Sequence, residues 1–80
     1  MNIQLSKDAL KVFNKVDRPT QQRFKQALLA LPKGDVKAMV GLRGLYRLRI
    51  GDWRILFSYV SDTTVFVEKI APRGEIYKGV

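Results

Sequence analysis

The chain has 80 residues with no cysteine or histidine, and its 15 lysines and arginines against 7 acidic residues give a net charge of +8. A chain of this length forms one domain, residues 1–80, near the lower size limit for folding without disulfides or metals. The missing cysteine and histidine exclude disulfide bridges, most zinc sites and nucleophiles activated by histidine. The positive surplus predicts an anionic partner such as RNA, DNA, anionic lipid or an acidic protein, and does not choose among them.

The location of the protein is indicated by its N-terminus and by its hydropathy. The chain becomes polar at Ser6, so its first residues do not form the apolar segment of a secretory signal peptide. No apolar run approaches the ~20 residues that a membrane-spanning helix needs. The lack of cysteine also fits a reducing compartment. We therefore expect a cytoplasmic protein that has no membrane partner.

The N-terminal half predicts a short strand followed by two helices. Residues 2–5 form the strand, and Ser6 is suited to cap the first helix, with Asp8 in its first turn. Asp-Arg-Pro at residues 17–19 ends that helix and begins the second, which Pro-Lys-Gly at residues 32–34 ends. The apolar residues expected to face the core at helical spacing are Ala9, Leu10, Phe13 and Val16, then Phe24, Ala27, Leu28 and Leu31.

In the C-terminal half the apolar period changes to two, which predicts a meander of three strands. These strands are expected at residues 45–50, 53–60 and 64–70. Gly51-Asp52 suits a two-residue type II′ hairpin turn, because that turn needs a positive φ at its first central residue. The order β-α-α-β-β-β predicts an α+β fold in which an N-terminal helical hairpin packs on a small, mainly antiparallel sheet.

The predicted hairpin brings arginines together on one face of the sheet. Pairing outward from the turn sets Arg49 opposite Arg54, and Arg47 shares their face because side chains alternate along a strand. Like charges opposed on a sheet destabilise it, and only Asp52 is an acidic residue nearby in sequence. Folding therefore explains the cluster poorly, whereas an external phosphate, which guanidinium groups bind in bidentate fashion, would explain it. The alternative is a solvated strand face that carries arginines without a ligand.

Other polar and aromatic residues are less informative by themselves. Arg73 follows a proline in a predicted loop, and a tyrosine near the end of a chain, such as Tyr77, is usually a packing residue. The basic residues of the helices are either a solvated face or contacts to ribosomal RNA. The aromatic residues expected in the core rather than on a base-stacking surface are Tyr46, Trp53, Phe57 and Tyr59. The aspartates expected to serve as turn residues are Asp17, Asp35, Asp52 and Asp62.

Two segments resemble the core of the RelE toxin family. They are LRGLYRLRIGDWRILFSY at residues 42–59 and IAPRGEIY at residues 70–77. The pattern L-x-G-x-[YW]-R-[LI]-R-x-G-[DN]-[YW]-R, followed by R-x-x-x-Y, is fairly specific, and length, charge and element order agree over essentially the whole chain. The resemblance implies a RelE-like fold. It also implies that the family's functional positions are held here by Arg47, Arg49, Arg54, Arg73 and Tyr77.

The resemblance further implies a toxin of a type II toxin–antitoxin system that cleaves messenger RNA in the ribosomal A site. The ribose 2′-hydroxyl would attack the adjacent phosphorus without metal or other cofactor. Arg47, Arg49 and Arg54 would bind the phosphate and stabilise its developing charge. Arg73 would stabilise or help protonate the leaving oxygen, and Tyr77 would stack on a base or take the 2′-proton. Arginine stays protonated at neutral pH and is unsuited to act as a general base. The implied partners are a cognate antitoxin and the ribosome with its message.

Two other functions are open at this stage. The related ParE toxins share the fold and poison DNA gyrase, although they generally lack the full set of basic residues and tyrosine. A catalytically inactive homologue would bind RNA with a steep salt dependence and leave the phosphodiester intact.

Overall fold

The computed structural model describes residues 1–41 and 43–75. In chain order its elements are β1 (Asn2–Leu5), α1 (Lys7–Lys15), α2 (Arg18–Leu29), β2 (Val36–Ala38), β3 (Tyr46–Ile50), β4 (Trp53–Ser61) and β5 (Thr64–Pro72). The strands form one sheet in the order β1-β5-β4-β3-β2, in which β1 runs parallel to β5 and the other neighbours are antiparallel. The predicted α+β fold with a mainly antiparallel sheet is confirmed. Neither of the described helices is long and apolar enough to cross a membrane.

Polar side chains fix the ends of the helical hairpin. Ser6 is the N-cap of α1, as predicted, and its hydroxyl accepts a hydrogen bond from the Ala9 N–H at 3.0 Å. The same hydroxyl lies 2.7 Å from the carbonyl oxygen of Glu68 on β5, to which it donates. Gln21 of α2 donates from its side-chain amide to the carbonyl oxygen of Phe13 at 2.7 Å. These contacts set the position of α1 against both the sheet and α2.

The helices cover one face of the sheet and enclose the core. Leu10 was expected in this core but is 45% exposed, while Val12 packs against it. The prediction was wrong because successive helical residues are about 100° apart, so the stripe that begins at Ala9 continues through Val12 and Phe13 and leaves Leu10 outside. The buried residues of the core are Ala9, Phe24, Leu28, Leu31, Leu48, Ile50, Ile55, Phe57, Val65, Val67 and Ile70.

The β3–β4 hairpin has the register predicted from its turn. Gly51 has a φ of 57°, as a type II′ turn with glycine at its first central position requires. In the described part of the chain only glycines have a positive φ, so Asp52 does not. Because the turn has two residues, it fixes every pair along the ladder. The observed pairs are Ile50 with Trp53, Arg49 with Arg54, Leu48 with Ile55, and Arg47 with Leu56.

Strand β2 was not predicted. It has three residues and forms an edge of the sheet by antiparallel pairing with β3, setting Lys37 opposite Arg47. A segment this short shows little alternation of apolar and polar residues, so the pairing rather than the sequence pattern defines it. Its pairing brings the residues just before and within β2 to the arginines of β3.

Candidate anion-binding site

The sheet face turned away from the helices carries the arginines beside a small apolar cluster. Leu56 and Ala71 are buried in this cluster, and Met39 and Leu45 pack against them. Because cross-strand partners share a face, Arg47 lies next to Leu56 and the β4 arginine next to Ala71. The arginine side chains therefore extend from a packed sheet surface, and their apolar neighbours restrict the directions that they can take.

Arg47 and Arg49 converge on a single carboxylate. Arg47 Nη2 lies 3.3 Å from Asp35 Oδ1, and Arg49 Nε lies 2.5 Å from Asp35 Oδ2. The side chains of Arg47, Arg49 and Asp35 are 18%, 55% and 42% exposed, respectively. Arg47 Nε is buried and has no hydrogen-bond partner among the described residues. Two guanidinium groups thus hold the two oxygens of one anion at an accessible surface.

The role of Asp35 corrects the interpretation drawn from the sequence. Asp35 was expected only to form a turn, and Asp52 was considered the one acidic residue near the arginines. In the structure the Asp35 carbonyl oxygen accepts a hydrogen bond from the Arg49 N–H at 3.0 Å, which sets the Asp35 side chain beside both arginines of β3. Pairing between β2 and β3 brings this carboxylate into place, although Asp35 is distant from them in the chain.

Arg54 serves the hairpin turn, which is a second correction. It is only 8% exposed, and its Nη1 donates to the carbonyl oxygens of Gly51 at 2.8 Å and Trp53 at 2.9 Å. The sequence interpretation held that folding explains the arginines poorly, and for Arg54 this was wrong. Main-chain carbonyl groups at a tight turn need donors when they are shielded from water. Arg54 supplies that donor and adds a buried positive charge beside Arg49, its cross-strand partner.

We expect Arg54→Ala to lower the free energy of unfolding by about 2–3 kcal/mol, the usual effect of losing buried hydrogen bonds from a charged donor. Arg54→Lys should recover part of this loss, because lysine keeps the charge and lacks the planar fork. Urea denaturation measures both. Arg18→Ala, at the exposed first residue of α2, is the control. A change below 0.5 kcal/mol (about the size of an ordinary surface substitution) would contradict the structural role of Arg54.

The two candidate residues near the C-terminus have different outcomes. The main-chain N–H of Arg73 donates to the carbonyl oxygen of Asp52 at 2.7 Å, which fastens the loop after β5 to the hairpin turn. Arg73 is therefore held at the same end of the sheet as Arg54, with its side chain exposed. Tyr77 lies outside the described residues, and its predicted role stays a prediction.

Arg23 of α2 approaches the hairpin turn from the helix side. Its Nη2 lies 2.7 Å from the place that a β-carbon would occupy at Gly51. The sequence interpretation left Arg23 among the basic residues of a helix face, either solvated or touching ribosomal RNA. No spacing in the sequence links Arg23 to the turn, because the contact depends on how α2 packs across the sheet.

Two lysines that the sequence interpretation did not single out share the face of the arginines. Lys37 lies opposite Arg47, and Lys69 lies opposite Leu56 on the far side of β4. Lys69 Nζ donates to the carbonyl oxygen of Glu75 at 3.4 Å, next to the loop that carries Arg73. Strict alternation in β5 would have placed Lys69 on the core face with Val65 and Val67, and the register shift between Leu56 and Phe57 turns it to this face. Lys37 depended on the unpredicted strand β2.

The aromatic residues of β3 and β4, which the sequence analysis weighed as base-stacking residues, lie on the core side of the sheet. Phe57 is fully buried, and the ring of Trp53 meets Phe24 edge-on with 5.4 Å between centroids. Tyr59 is 37% exposed, and its ring packs edge-on against Phe57 at 5.4 Å. The expected packing role is confirmed for Phe57 and Trp53, and Tyr59 forms the exposed edge of the same group.

The chemistry of the site is that of an anion receptor. A metal ion held by oxygen ligands needs several carboxylates together, and within residues 1–41 and 43–75 no three acidic residues form such a group. Arginine forks bind carboxylates and phosphates through paired, charge-assisted hydrogen bonds. The convergence of Arg47 and Arg49 therefore favours an oxyanion ligand.

Similarity to known proteins agrees with this fold. The family model described as ParE toxin of type II toxin-antitoxin system, parDE, matches residues 3–77. No curated protein matches the chain.

Solved structures of toxin–antitoxin complexes share the fold. In the RelB-RelE antitoxin-toxin complex from Methanococcus jannaschii, the similar chain has a TM-score of 0.73 and 23% identity, covering 92% of this chain and 94% of that one. A chain of the RelE-RelB complex from Pyrococcus horikoshii OT3 has a TM-score of 0.69 and 25% identity, covering 91% of this chain and 94% of that one. A chain of the RelBE complex from E. coli has a TM-score of 0.70 and 16% identity, covering 89% of this chain and 94% of that one.

Proposed function

We propose that the chain, which belongs to the ParE toxin family of type II toxin–antitoxin systems within the RelE/ParE superfamily, is a toxin that cleaves messenger RNA on the ribosome. The observation that supports this activity is the convergence of Arg47 and Arg49 on both oxygens of one carboxylate. A phosphodiester offers two non-bridging oxygens to such a pair of guanidinium groups. The net charge of +8 adds a general attraction for RNA.

The proposed reaction is an internal transesterification. The ribose 2′-oxygen attacks the adjacent phosphorus, the bond from phosphorus to the 5′-oxygen breaks, and the proton lost from the 2′-hydroxyl is balanced by one gained at the 5′-oxygen. Negative charge grows on the non-bridging oxygens, where Arg47 and Arg49 stabilise it. Arg54 adds charge from beneath the surface, and Arg73 would stabilise the leaving oxygen. Tyr77 would stack on the neighbouring base or accept the 2′-proton.

The ribosome has a physical role in this scheme. The proposed site is rich in arginines, which stay protonated and are poor proton acceptors, so the reaction depends on holding the 2′-oxygen, phosphorus and leaving oxygen in line. The decoding site imposes a fixed path on the message. We therefore propose the ribosome with its message as the substrate and a cytoplasmic location. A cognate antitoxin is the expected protein partner of a toxin from a type II system.

The test is cleavage of a message on ribosomes with an empty A site, beside the same message free in solution. We expect cutting on the ribosome only, with a 2′,3′-cyclic phosphate on one product and a 5′-hydroxyl on the other. A matched message with a single 2′-deoxy nucleotide at the cut site should resist cleavage, since it lacks the attacking oxygen. Cleavage of the deoxy message at the same bond would reject the proposed chemistry.

Inhibition of DNA gyrase is the second candidate function, favoured by the description of the matching family as ParE toxins. It predicts that the purified chain blocks DNA supercoiling by gyrase and leaves ribosome-bound messages intact. The two assays together separate the candidates, because a nuclease of the proposed kind should leave supercoiling unaffected.

A further inference from the structure

Asp35 occupies the place where the proposed function puts a phosphate. It precedes β2, its main-chain oxygen is fixed by the Arg49 N–H at 3.0 Å, and its carboxylate meets Arg47 at 3.3 Å and Arg49 at 2.5 Å. Each arginine contacts a different oxygen of this group. The arrangement matches the contacts that a bidentate oxyanion ligand would make.

The arginines of this face need a counter-charge when no ligand is bound. Arg49 faces Arg54 across the strands, and Arg47 faces Lys37, so like charges oppose each other on both sides of β3, which destabilises a sheet. Asp35 offsets this repulsion and fixes the direction of both guanidinium groups. A carboxylate at this position therefore holds the two guanidinium groups close together in the absence of RNA.

The ion pairs are of a kind that a ligand can replace. The Asp35 side chain is 42% exposed and that of Arg49 is 55% exposed, and pairs in contact with solvent contribute little because water and salt screen them. The main-chain bond of Asp35 to Arg49 does not involve the carboxylate. The side chain can thus rotate away while β2 stays paired to β3.

We infer that Asp35 is the resident anion of the Arg47–Arg49 pair, a positioning residue that the phosphate of bound RNA displaces. The inference rests on the proposed RNA-binding function of the site. It adds that the chain weakens its own affinity for RNA, because binding must release a carboxylate and leave it as a negative charge beside the ligand. Removal of that charge should strengthen binding instead of weakening it.

The expected result is that Asp35→Asn binds RNA about 3- to 5-fold more tightly at 0.1 M KCl, since a partly exposed charge contact is worth up to about a fivefold change in affinity. The probe is a labelled ten-nucleotide RNA with 2′-O-methyl groups throughout, which cannot be cleaved by 2′-attack. Fluorescence anisotropy between 20 and 200 mM KCl gives the affinity and its salt dependence. The logarithmic slope reports the number of phosphate contacts and should be similar in the two chains, because Arg47 and Arg49 contact the same phosphate with and without Asp35.

The matched control is Asp62→Asn in the exposed β4–β5 turn. It makes the same change in net charge roughly 20 Å along the strands from the arginine pair, about twice the Debye length of about 10 Å at 0.1 M KCl, the concentration at which the two variants are compared. We expect this variant to bind the RNA within twofold of the unmodified chain. Asp35→Ala, which removes the carboxylate without an amide in its place, should tighten binding as Asp35→Asn does, and urea denaturation verifies that each variant is folded.

Two results would overturn the inference. One is a folded Asp35→Asn that binds the RNA no more tightly than Asp62→Asn does, which would make Asp35 a structural residue only. The other is loss of cleavage on the ribosome in Asp35→Asn with RNA binding retained, since a displaced carboxylate takes no part in the reaction. The binding arm uses no ribosome and no cleavage, so it can succeed even where the proposed nuclease activity fails.

Discussion

Arg49→Ala is expected to slow cleavage of ribosome-bound message by about 100- to 1,000-fold, the loss seen when one donor to a developing oxyanion is removed. Arg49 is the most exposed member of the ion-pair cluster, with 55% of its side chain accessible, and its Nε already engages an anion in the structure. The substitution removes a full positive charge from the proposed phosphate contact. The effect should fall on the rate of the chemical step, where the negative charge grows.

The fold should survive this substitution. Asp35 retains Arg47 as an ion-pair partner, so no carboxylate is left unpaired. Loss of a solvent-exposed pair changes the free energy of unfolding by about 1 kcal/mol or less. The variant therefore separates a contribution to catalysis from a contribution to stability.

Single-turnover cleavage with excess toxin measures the step directly. Arg18→Ala is the matched control, because it removes the same side chain and charge from the exposed start of α2, away from the arginine face. We expect the control to cleave within about threefold of the unmodified chain. Wild-type cleavage by Arg49→Ala would remove Arg49 from the proposed site.

The largest expected effect on stability comes from the core. Phe57 is 0% exposed, and its ring stacks on Tyr46 with 5.7 Å between centroids. Truncation of a buried phenylalanine to alanine lowers the free energy of unfolding by about 3–5 kcal/mol, through lost burial and the cavity left behind. A domain of 80 residues has a total of only about 4–12 kcal/mol at typical values per residue. Phe57→Ala should therefore bring the chain close to global unfolding.

Urea denaturation followed by circular dichroism measures this loss. Leu29→Ala is the matched control, since Leu29 is a large apolar residue that is 57% exposed and its truncation should change the free energy of unfolding by about 0.5 kcal/mol or less. A loss below about 1 kcal/mol in Phe57→Ala would mean that the core does not depend on this ring as the structure implies.

Most of the β3–β4 hairpin could be predicted from the sequence because its determinants are local. Gly51 supplies the positive φ of a two-residue turn, and that turn sets Arg49 opposite Arg54 without reference to any other part of the chain. Alternation along β3 then separates Leu48, which faces the core, from Arg47 and Arg49. The same local reasoning identified Ser6 as a helix cap, since the capping oxygen and the N–H that it accepts are three residues apart.

The alternation of residues along a strand predicts which face a side chain lies on, and it does not predict how deeply that side chain is buried. The alternation of β3 and β4 correctly gave the face of Arg54, and it did not reveal that this arginine is buried against the turn carbonyls. Burial depends on the neighbouring strand β5, which pairs Arg54 with Ala71. The error at Leu10 has a different and local cause, because this residue lies about 100° from Ala9 around the helix and so falls outside the buried stripe.

Apart from β2, the sequence by itself determined the order of the elements, the hairpin register and the shared face of Arg47, Arg49 and Arg54, because each follows from contacts between residues close in the chain. Only the tertiary structure decided that Asp35 forms ion pairs with two of these arginines and that Arg54 supports the turn. Asp35 reaches Arg47 and Arg49 through the pairing of β2 with β3. Such pairing depends on the path of the intervening segment and on which strand takes the sheet edge. Neither can be predicted from the pattern of residues close together in the chain.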